Sequence, residues 1–226
     1  MSISGFQVPA PRQQLRSTAD LTALAARIAA SRDPRKPVLI VCGGTGCRAY
    51  KCNEIIDALR AELAARNLAS RFDVRVTGCH GFCEKGPLMI VMPQGLFYQR
   101  IAMADVPKIV EKTLQGDEII DSLLYRDPQT GEKVVRENDI PFYAKQMQAI
   151  FHANRFMDPT RIEDYFAIGG YQALAKVLST MKPHDVIQMI KKSGLRGRGG
   201  GGFPAGVKWE TAAHAEGEER FVICNG

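Results

Sequence analysis

Val38-Leu39-Ile40-Val41-Cys42-Gly43-Gly44-Thr45-Gly46-Cys47 begins with four aliphatic residues and ends on a C-x4-C pair. A short run of bulky apolar side chains bounded by glycine reads as a buried strand, here 38–41, with Cys42 at its end. Val74-Arg75-Val76-Thr77-Gly78-Cys79-His80-Gly81-Phe82-Cys83 repeats the plan, a strand over 72–76 running into a C-x3-C pair. Loops that follow neighbouring strands can bring side chains from separate segments to one place. Four thiolates from two loops, two per iron, suit a [2Fe–2S] cluster held by Cys42, Cys47, Cys79 and Cys83. Gly43, Gly44, Gly46, Gly78 and Gly81 leave room for backbone N–H groups to approach the sulfur atoms. The same thiols could serve a structural zinc site, although zinc ligands favour C-x2-C spacing. Cys52 falls outside the paired spacing and reads as a spare thiol near a helix start. His80 adjoins Cys79 without the C-x-H…C-x2-H spacing of a mixed-ligand centre, so a surface histidine is expected.

The flanking segments supply an α/β framework. Leu21, Leu24, Ala25 and Ile28 recur at helical spacing within 18–31, and Ile55, Ile56, Leu59 and Leu63 share one face of a helix over 53–66. A third strand covers 88–92. It pairs with 96–101 through Pro93-Gln94-Gly95, and 106–114 is a closing helix. Residues 121–140 form a linker or hairpin around the turn Asp127-Pro128-Gln129-Thr130-Gly131. Residues 146–154 are expected to be helical. Asp158-Pro159 reads as a helix start with Asp as N-cap, interrupted at Gly169-Gly170 and resumed over 171–178. Residues 183–193 form a further helix, with Lys191 and Lys192 in the last turn and Gly194 as cap. Residues 1–16 read as a flexible arm, and 221–223 as a core strand leading into Cys224.

A net charge of +6 on 226 residues is modest, and a mildly basic surface accounts for it. The longest apolar run, 88–92, is far too short to span a bilayer. The N-terminus has no charged stretch followed by an apolar core, so the cytoplasm is expected. Six cysteines in such a chain argue for metal or redox chemistry over structural disulfides.

The other informative stretch is Gly194-Leu195-Arg196-Gly197-Arg198-Gly199-Gly200-Gly201-Gly202-Phe203-Pro204-Ala205-Gly206-Val207-Lys208-Trp209. Glycines with little side chain expose backbone N–H groups that can approach a phosphate or a flat ring. The literal G-x-G-x-x-G at Gly197, Gly199 and Gly202 follows a helix rather than a strand, which is the wrong context for a dinucleotide-binding fingerprint. An RNA-binding RGG segment is the alternative, though such segments repeat in low-complexity sequence and this one does not.

GLRGRGGGGFPAGVKW closely resembles the flavin-loop signature GLRGRGGAGFPTGLKW of the NADH-binding flavoprotein subunits of NADH dehydrogenases. The same family serves NAD-linked and electron-bifurcating hydrogenases and formate dehydrogenases. The departures are Gly201, Ala205 and Val207. Residues 158–178 and 221–226 resemble the same family. The cysteine spacing resembles the thioredoxin-like ferredoxins, here fused ahead of the flavoprotein. The resemblance implies an arm and helix over 1–36, a thioredoxin-like [2Fe–2S] domain over 37–120, and the first part of an FMN/NADH-binding domain over 121–226.

It further implies that Gly197, Arg198, Gly199 and Gly200 line FMN and its phosphate, that Lys208 sets a cation beside the flavin, and that Asn225 hydrogen-bonds it. Phe203 would stack on the adenine of NAD(H), with Thr211 standing where the family has a second aromatic. Trp209 and Pro204 are expected to pack. The implied activity is hydride exchange between NADH and FMN, with single electrons passing to the [2Fe–2S] centre. The implied partners are other subunits of a multi-subunit redox complex. The Cys79–Cys83 loop and the Cys-Asn-Gly ending lean towards hydrogenase-type or other anaerobic complexes over respiratory ones. Neither nucleic acid nor direct membrane insertion is expected. The chain stops at Asn225-Gly226 directly after an apolar run, so it is expected to be truncated and inactive towards NADH alone. A [4Fe–4S] domain would lie in the missing part. The readings from other classes are a stand-alone ferredoxin carrier and a zinc module with an RNA-binding loop.

Overall fold

The computed structural model describes residues 14–33, 35–149, 152–217, 219 and 221. The expected arm lies almost wholly outside them, and so do Cys224, Asn225 and most of the expected strand over 221–223. The chain divides into two compact units, Leu24–Gly169 and Met1–Ala23 with Gly170–Gly226.

Helix α1 (Thr18–Ala30) starts on a reciprocal cap. The Asp20 N–H donates to Ser17 Oγ at 3.1 Å, and the Ser17 N–H donates to Asp20 Oδ2 at 3.0 Å. Next comes β1 (Val38–Cys42), buried along nearly its whole length. Burial on both faces is why its sequence is an unbroken aliphatic run rather than an alternation. The short helix α2 (Thr45–Ala49) follows, then α3 (Cys52–Ala65), which buries Ile55, Ile56, Leu59 and Leu63 as their spacing requires.

Strand β2 (Asp73–Thr77) pairs parallel to β1, and the register sets Cys42 opposite Thr77. Strands β3 (Met89–Met92) and β4 (Leu96–Tyr98) form a hairpin, and β3 lies antiparallel to β1. The sheet order is β2-β1-β3-β4. Helix α4 (Val106–Lys108) runs on as a π-helical stretch over Ile109–Gln115, burying Ile109, Val110 and Leu114. The order strand–helix–strand–strand–strand–helix is thus present as its sequence pattern requires. Within it, the Tyr98 hydroxyl is fully used, facing Thr113 Oγ1 at 2.8 Å and accepting the Ile120 N–H at 2.9 Å.

Residues 121–140 form a hairpin, with β5 (Tyr125–Arg126) antiparallel to β6 (Lys133–Val134). Its turn works as the sequence suggests. Asp127 Oδ1 accepts the Gln129 N–H at 2.8 Å, and the Gly131 N–H closes on the Asp127 carbonyl at 2.8 Å. The segment lies along β4. The N–H of Phe97 donates to the Val135 carbonyl, that of Gln99 to Leu123 and that of Glu137 to Gly95. An edge strand left bare would be a pairing hazard, and this segment covers it. Leu123, Leu124, Tyr125, Ile140 and Tyr143 consequently belong to the same core as the sheet.

Helix α5 (Pro141–Ala144) carries Phe142 and Tyr143. Of the described residues within 146–154, where a helix is expected, those from 152 form a 3-10 turn over His152–Arg155, and 146–149 are not helical. The helix expected to start at Asp158-Pro159 instead starts later, as α6 (Ile162–Ala167). Asp158 Oδ1 is taken by the Thr160 N–H and hydroxyl at 2.9 and 2.7 Å, a local turn that competes with helix.

The second unit holds α7 (Gln172–Thr180), α8 (Pro183–Ser193) and α9 (Ala205–His214). Helix α8 ends on Gly194 in the left-handed region (φ +67), which its lack of a Cβ permits. Helices α8 and α9 come so close at Gly206 that a Cβ there would lie 2.6 Å from the Lys191 backbone nitrogen. Among the described residues no helix is long and apolar enough to cross a membrane.

Asp164 ties distant segments of the first unit together. It is buried, pairs with Arg32, lies 3.6 Å from Arg75 Nε, and accepts the Asp158 N–H at 2.8 Å. Burial alone would raise its pKa. The Asp158 hydrogen bond, Arg32 and Arg75 outweigh that and lower it. A carboxylate with a depressed folded pKa stabilises above its unfolded pKa of about 3.9, and that contribution is lost as pH falls through the folded value. Asp164→Asn should destabilise the unit by about 3 kcal/mol at neutral pH, and the gap to wild type should close in acid. Denaturant unfolding at a series of pH values measures this, and a pH-independent difference would contradict it.

Candidate functional site

The parallel register delivers both cysteine loops to one end of the sheet. Cys42 is the last residue of β1, Cys47 sits on α2, and Cys79 and Cys83 follow β2. Glycines in the first loop press against thiols of the second. A Cβ on Gly44 would meet Cys79 Cβ at 3.0 Å, and one on Gly46 would meet Cys83 Sγ at 3.0 Å. Gly86, which sequence reasoning missed, does the reverse, since its Cβ would lie 2.8 Å from Cys47 Sγ. Gly78 is used differently, because its nearest neighbour is Asn154.

The thiols stand as two pairs. Cys42 and Cys47 perturb each other most, the Cys42 sulfur lies 3.7 Å from the Gly78 carbonyl oxygen, and the Cys79 and Cys83 sulfurs are 3.9 Å apart. No three His, Cys, Asp or Glu groups among the described residues are gathered for a single metal ion. The Cys47 thiol and, against the cost of burial, the N–H groups of Gly44 and His80 bring Cys42 down to about 5. Cys47 moves up, through its interaction with Cys42 and burial. Burial raises Cys79 despite a hydrogen bond from the Gly81 N–H at 3.2 Å. Backbone donors aimed at sulfur, and glycines where a Cβ would intrude, make a donor set that fits an iron–sulfur cluster. Cys52 is apart from the pairs. It is fully buried as the first residue of α3, and burial raises its pKa.

His80 is not at the surface, as its sequence context suggests, but 3% exposed. Its Nε2 lies 2.7 Å from Thr77 Oγ1, and its Nδ1 lies 3.3 Å from Glu137 Oε1. Glu137 in turn binds Arg155, which also reaches Asn138. Burial opposes charge on Glu137, but His80 and Arg155 together hold its carboxyl below the ordinary range. Phe82, two residues on, stacks on Phe142 with centroids 4.3 Å apart and meets Tyr125 and Tyr143 at 5.7 and 5.6 Å. The second cysteine loop is therefore gripped by a buried polar chain and an aromatic box. Both come from residues after 120, which no local pattern links to the cysteines.

In the second unit, the glycine loop is a tongue closed at its base. The Gly197 N–H donates to the Phe203 carbonyl and the Ala205 N–H to Leu195, both at 2.9 Å. Arg196 Nε donates to the Gly202 carbonyl at 2.6 Å, so this arginine is structural. Beyond the base, a Cβ at Gly199, Gly200 or Gly201 would meet nothing within 4 Å among the described residues. Gly200 and Gly202 take positive φ (+100 and +57), which glycine tolerates. Arg198, Phe203 and Lys208 are exposed around this tongue. Pro204 and Trp209, expected to pack, are exposed too, Trp209 at 44%. Helix α9 meets α8 at Gly206 and through Glu210, which pairs with Lys191. Asn225 lies outside the described residues.

A mixed sheet with a parallel β1–β2 pair, cysteines in the loops at its end and thiols in two pairs defines an iron–sulfur electron-transfer module of thioredoxin-like build. Comparison with known families agrees. Through residues 30–114 the chain belongs to the thioredoxin-like [2Fe-2S] ferredoxin family, and residues 190–226 match the Nuo51 FMN-binding domain. The 2Fe-2S ferredoxin of Clostridium pasteurianum is 35% identical over 77 residues, 34% of this chain and 76% of that protein. The NADP-reducing hydrogenase subunit HndC of Solidesulfovibrio fructosivorans is 47% identical over 81 residues, 36% of this chain and 16% of its own length. An NADH-quinone oxidoreductase subunit of Aquifex aeolicus is 52% identical over 64 residues, 28% of this chain and 15% of its own length. The chain thus spans about one sixth of the length of the two oxidoreductase subunits.

Glu137→Ala would strand His80 and Arg155 in the interior, and a broken buried pair costs about 3–5 kcal/mol. The denaturant midpoint followed by circular dichroism should fall accordingly, with Glu137→Gln falling less. A loss below about 0.5 kcal/mol in Glu137→Ala, the level of an ordinary surface change, would show that the polar chain does not support the loop.

Proposed function

We propose that the chain is the electron-transfer end of a flavoprotein subunit in an NAD(H)-dependent oxidoreductase complex of the cytoplasm. The observation that carries this reading is two thiol pairs, one on each of two glycine-lined loops that pack against each other, in a chain that also matches an FMN-binding family. Cys42 and Cys47 would hold one iron of a [2Fe–2S] centre, and Cys79 and Cys83 the other. The five described cysteines are free thiols, which suits a reducing compartment. Gly197, Arg198, Gly199 and Gly200 would cradle the flavin. Arg198 would supply a charge-assisted contact, Lys208 a nearby cation, Phe203 a face for the nicotinamide nucleotide's adenine and Asn225 a further hydrogen bond. When bound, the flavin supplies the exchange between the two-electron chemistry of a nicotinamide and the one-electron chemistry of iron–sulfur centres. The partners would be further subunits of a hydrogenase, formate dehydrogenase or NADH dehydrogenase type of complex. HndC among the relatives supports the first.

Anaerobically purified chain should be coloured and hold iron and acid-labile sulfide in equal amounts. Cys79→Ala should bleach it and Cys52→Ser should not. Zinc without sulfide would refute the reading.

In the complete subunit, Arg198→Ala should weaken FMN by about 1.5–3 kcal/mol, roughly one to two decades. Gly199→Val should also lower FMN occupancy. A Cβ at Gly199 meets nothing within 4 Å among the described residues, so that loss would report on the flavin side of the loop. Full FMN in both variants, with an unchanged [2Fe–2S] spectrum, would exclude this loop as the cradle.

A further inference from the structure

Tyr143 is 5% exposed and stands among rings. Phe142, Phe82 and Phe97 meet it edge-on with centroids 5.1, 5.6 and 6.1 Å away. These contacts account for its carbon atoms. They do not account for its hydroxyl, which is buried and has no hydrogen-bond partner among the described residues. Tyr98, equally buried, uses its hydroxyl twice. A buried phenol without a partner is costly, and phenylalanine would fill the same aromatic box without that cost.

The surroundings indicate where an acceptor would come from. Phe82 belongs to the Cys79–Cys83 loop, so the ring of Tyr143 packs directly on the segment that carries two of the four thiols. Arg155, whose guanidinium carbon lies 5.6 Å from the centre of that ring, is already engaged by Glu137 and Asn138. Burial first, then the negative charges of Glu137 and of the sulfurs of Cys42 and Cys79, push the Tyr143 hydroxyl up. It therefore keeps its proton and remains a donor. Tyr143 itself lies beyond the segment 30–114 that matches the ferredoxin family.

We propose that the Tyr143 hydroxyl donates a hydrogen bond to the sulfur shell of the [2Fe–2S] centre and raises its reduction potential. The inference rests on the iron–sulfur reading of the four cysteines. Reduction adds negative charge to the cluster and its sulfurs, so a donor aimed at them stabilises the reduced state more than the oxidised one. Tyr143 is thus a tuning residue, supplied by the segment that also grips the second cysteine loop.

The test is Tyr143→Phe in the whole chain, which keeps the ring and removes only the hydroxyl. Iron, sulfide and the visible spectrum should match wild type. Redox titration followed by electron paramagnetic resonance should show a more negative midpoint, with the reduced-to-oxidised ratio at a fixed poise lowered about tenfold, or about 59 mV for one electron. The Fe–S stretching bands of wild type should shift on exchange into deuterium oxide, and that shift should shrink in the variant. An unchanged midpoint in a fully loaded variant overturns the proposal. Loss of the cluster from the variant also overturns it, because the hydroxyl would then serve retention instead. If wild type itself holds no iron or sulfide, the ferredoxin reading fails and this inference falls with it.

Discussion

Parallel pairing of β1 with β2, with Cys42 opposite Thr77, ends both strands at the same edge of the sheet. The cysteine loops have nowhere else to go. Everything at the site depends on that register, because a slip of one residue would turn each strand's side chains to the opposite face. Packing then brings the loops into contact. Glycines at positions 44, 46 and 86 let backbone lie against sulfur where any side chain would force the loops apart.

The sheet alone does not hold the second loop. His80 and Phe82, which lie between Cys79 and Cys83, point into the protein and are received by the segment after residue 120. That segment is fixed in turn by backbone hydrogen bonds along β4. A buried ionic chain such as His80–Glu137–Arg155 adds little net stability over an apolar core, but breaking it is expensive. Its effect is to make one conformation of the loop much better than its neighbours. The price of that arrangement is desolvation of Glu137, which its two partners offset.

The glycine tongue of the second unit has the opposite design. Hydrogen bonds fix its base, and beyond the base a Cβ at Gly199, Gly200 or Gly201 would meet nothing within 4 Å among the described residues. The first site is packed within its unit, whereas the tongue presents bare backbone and the exposed Arg198. Such a surface is suited to receiving a ligand that supplies its own bulk and charge.

Much of this was legible in the chain itself. Aliphatic runs ending in cysteine marked β1 and β2, the 3.6-residue spacing of Ile55, Ile56, Leu59 and Leu63 marked α3, and Gly194 marked the end of α8. These signals are local, and local physics produces them. Helix α2 was not legible, because five residues with a glycine inside carry no period. The late start of α6 was hidden because the Asp158 side chain could cap either a helix or a turn. The burial of His80, the role of Gly86, and the gathering of Glu137, Phe142 and Tyr143 behind the cysteines were decided only by the tertiary structure. The sequence determined which residues could ligate, turn and pack. Which distant groups surround the thiols follows from how residues 121–149 and 152–156 lie against the sheet, and that is set by long-range burial, which leaves no periodic trace along the chain.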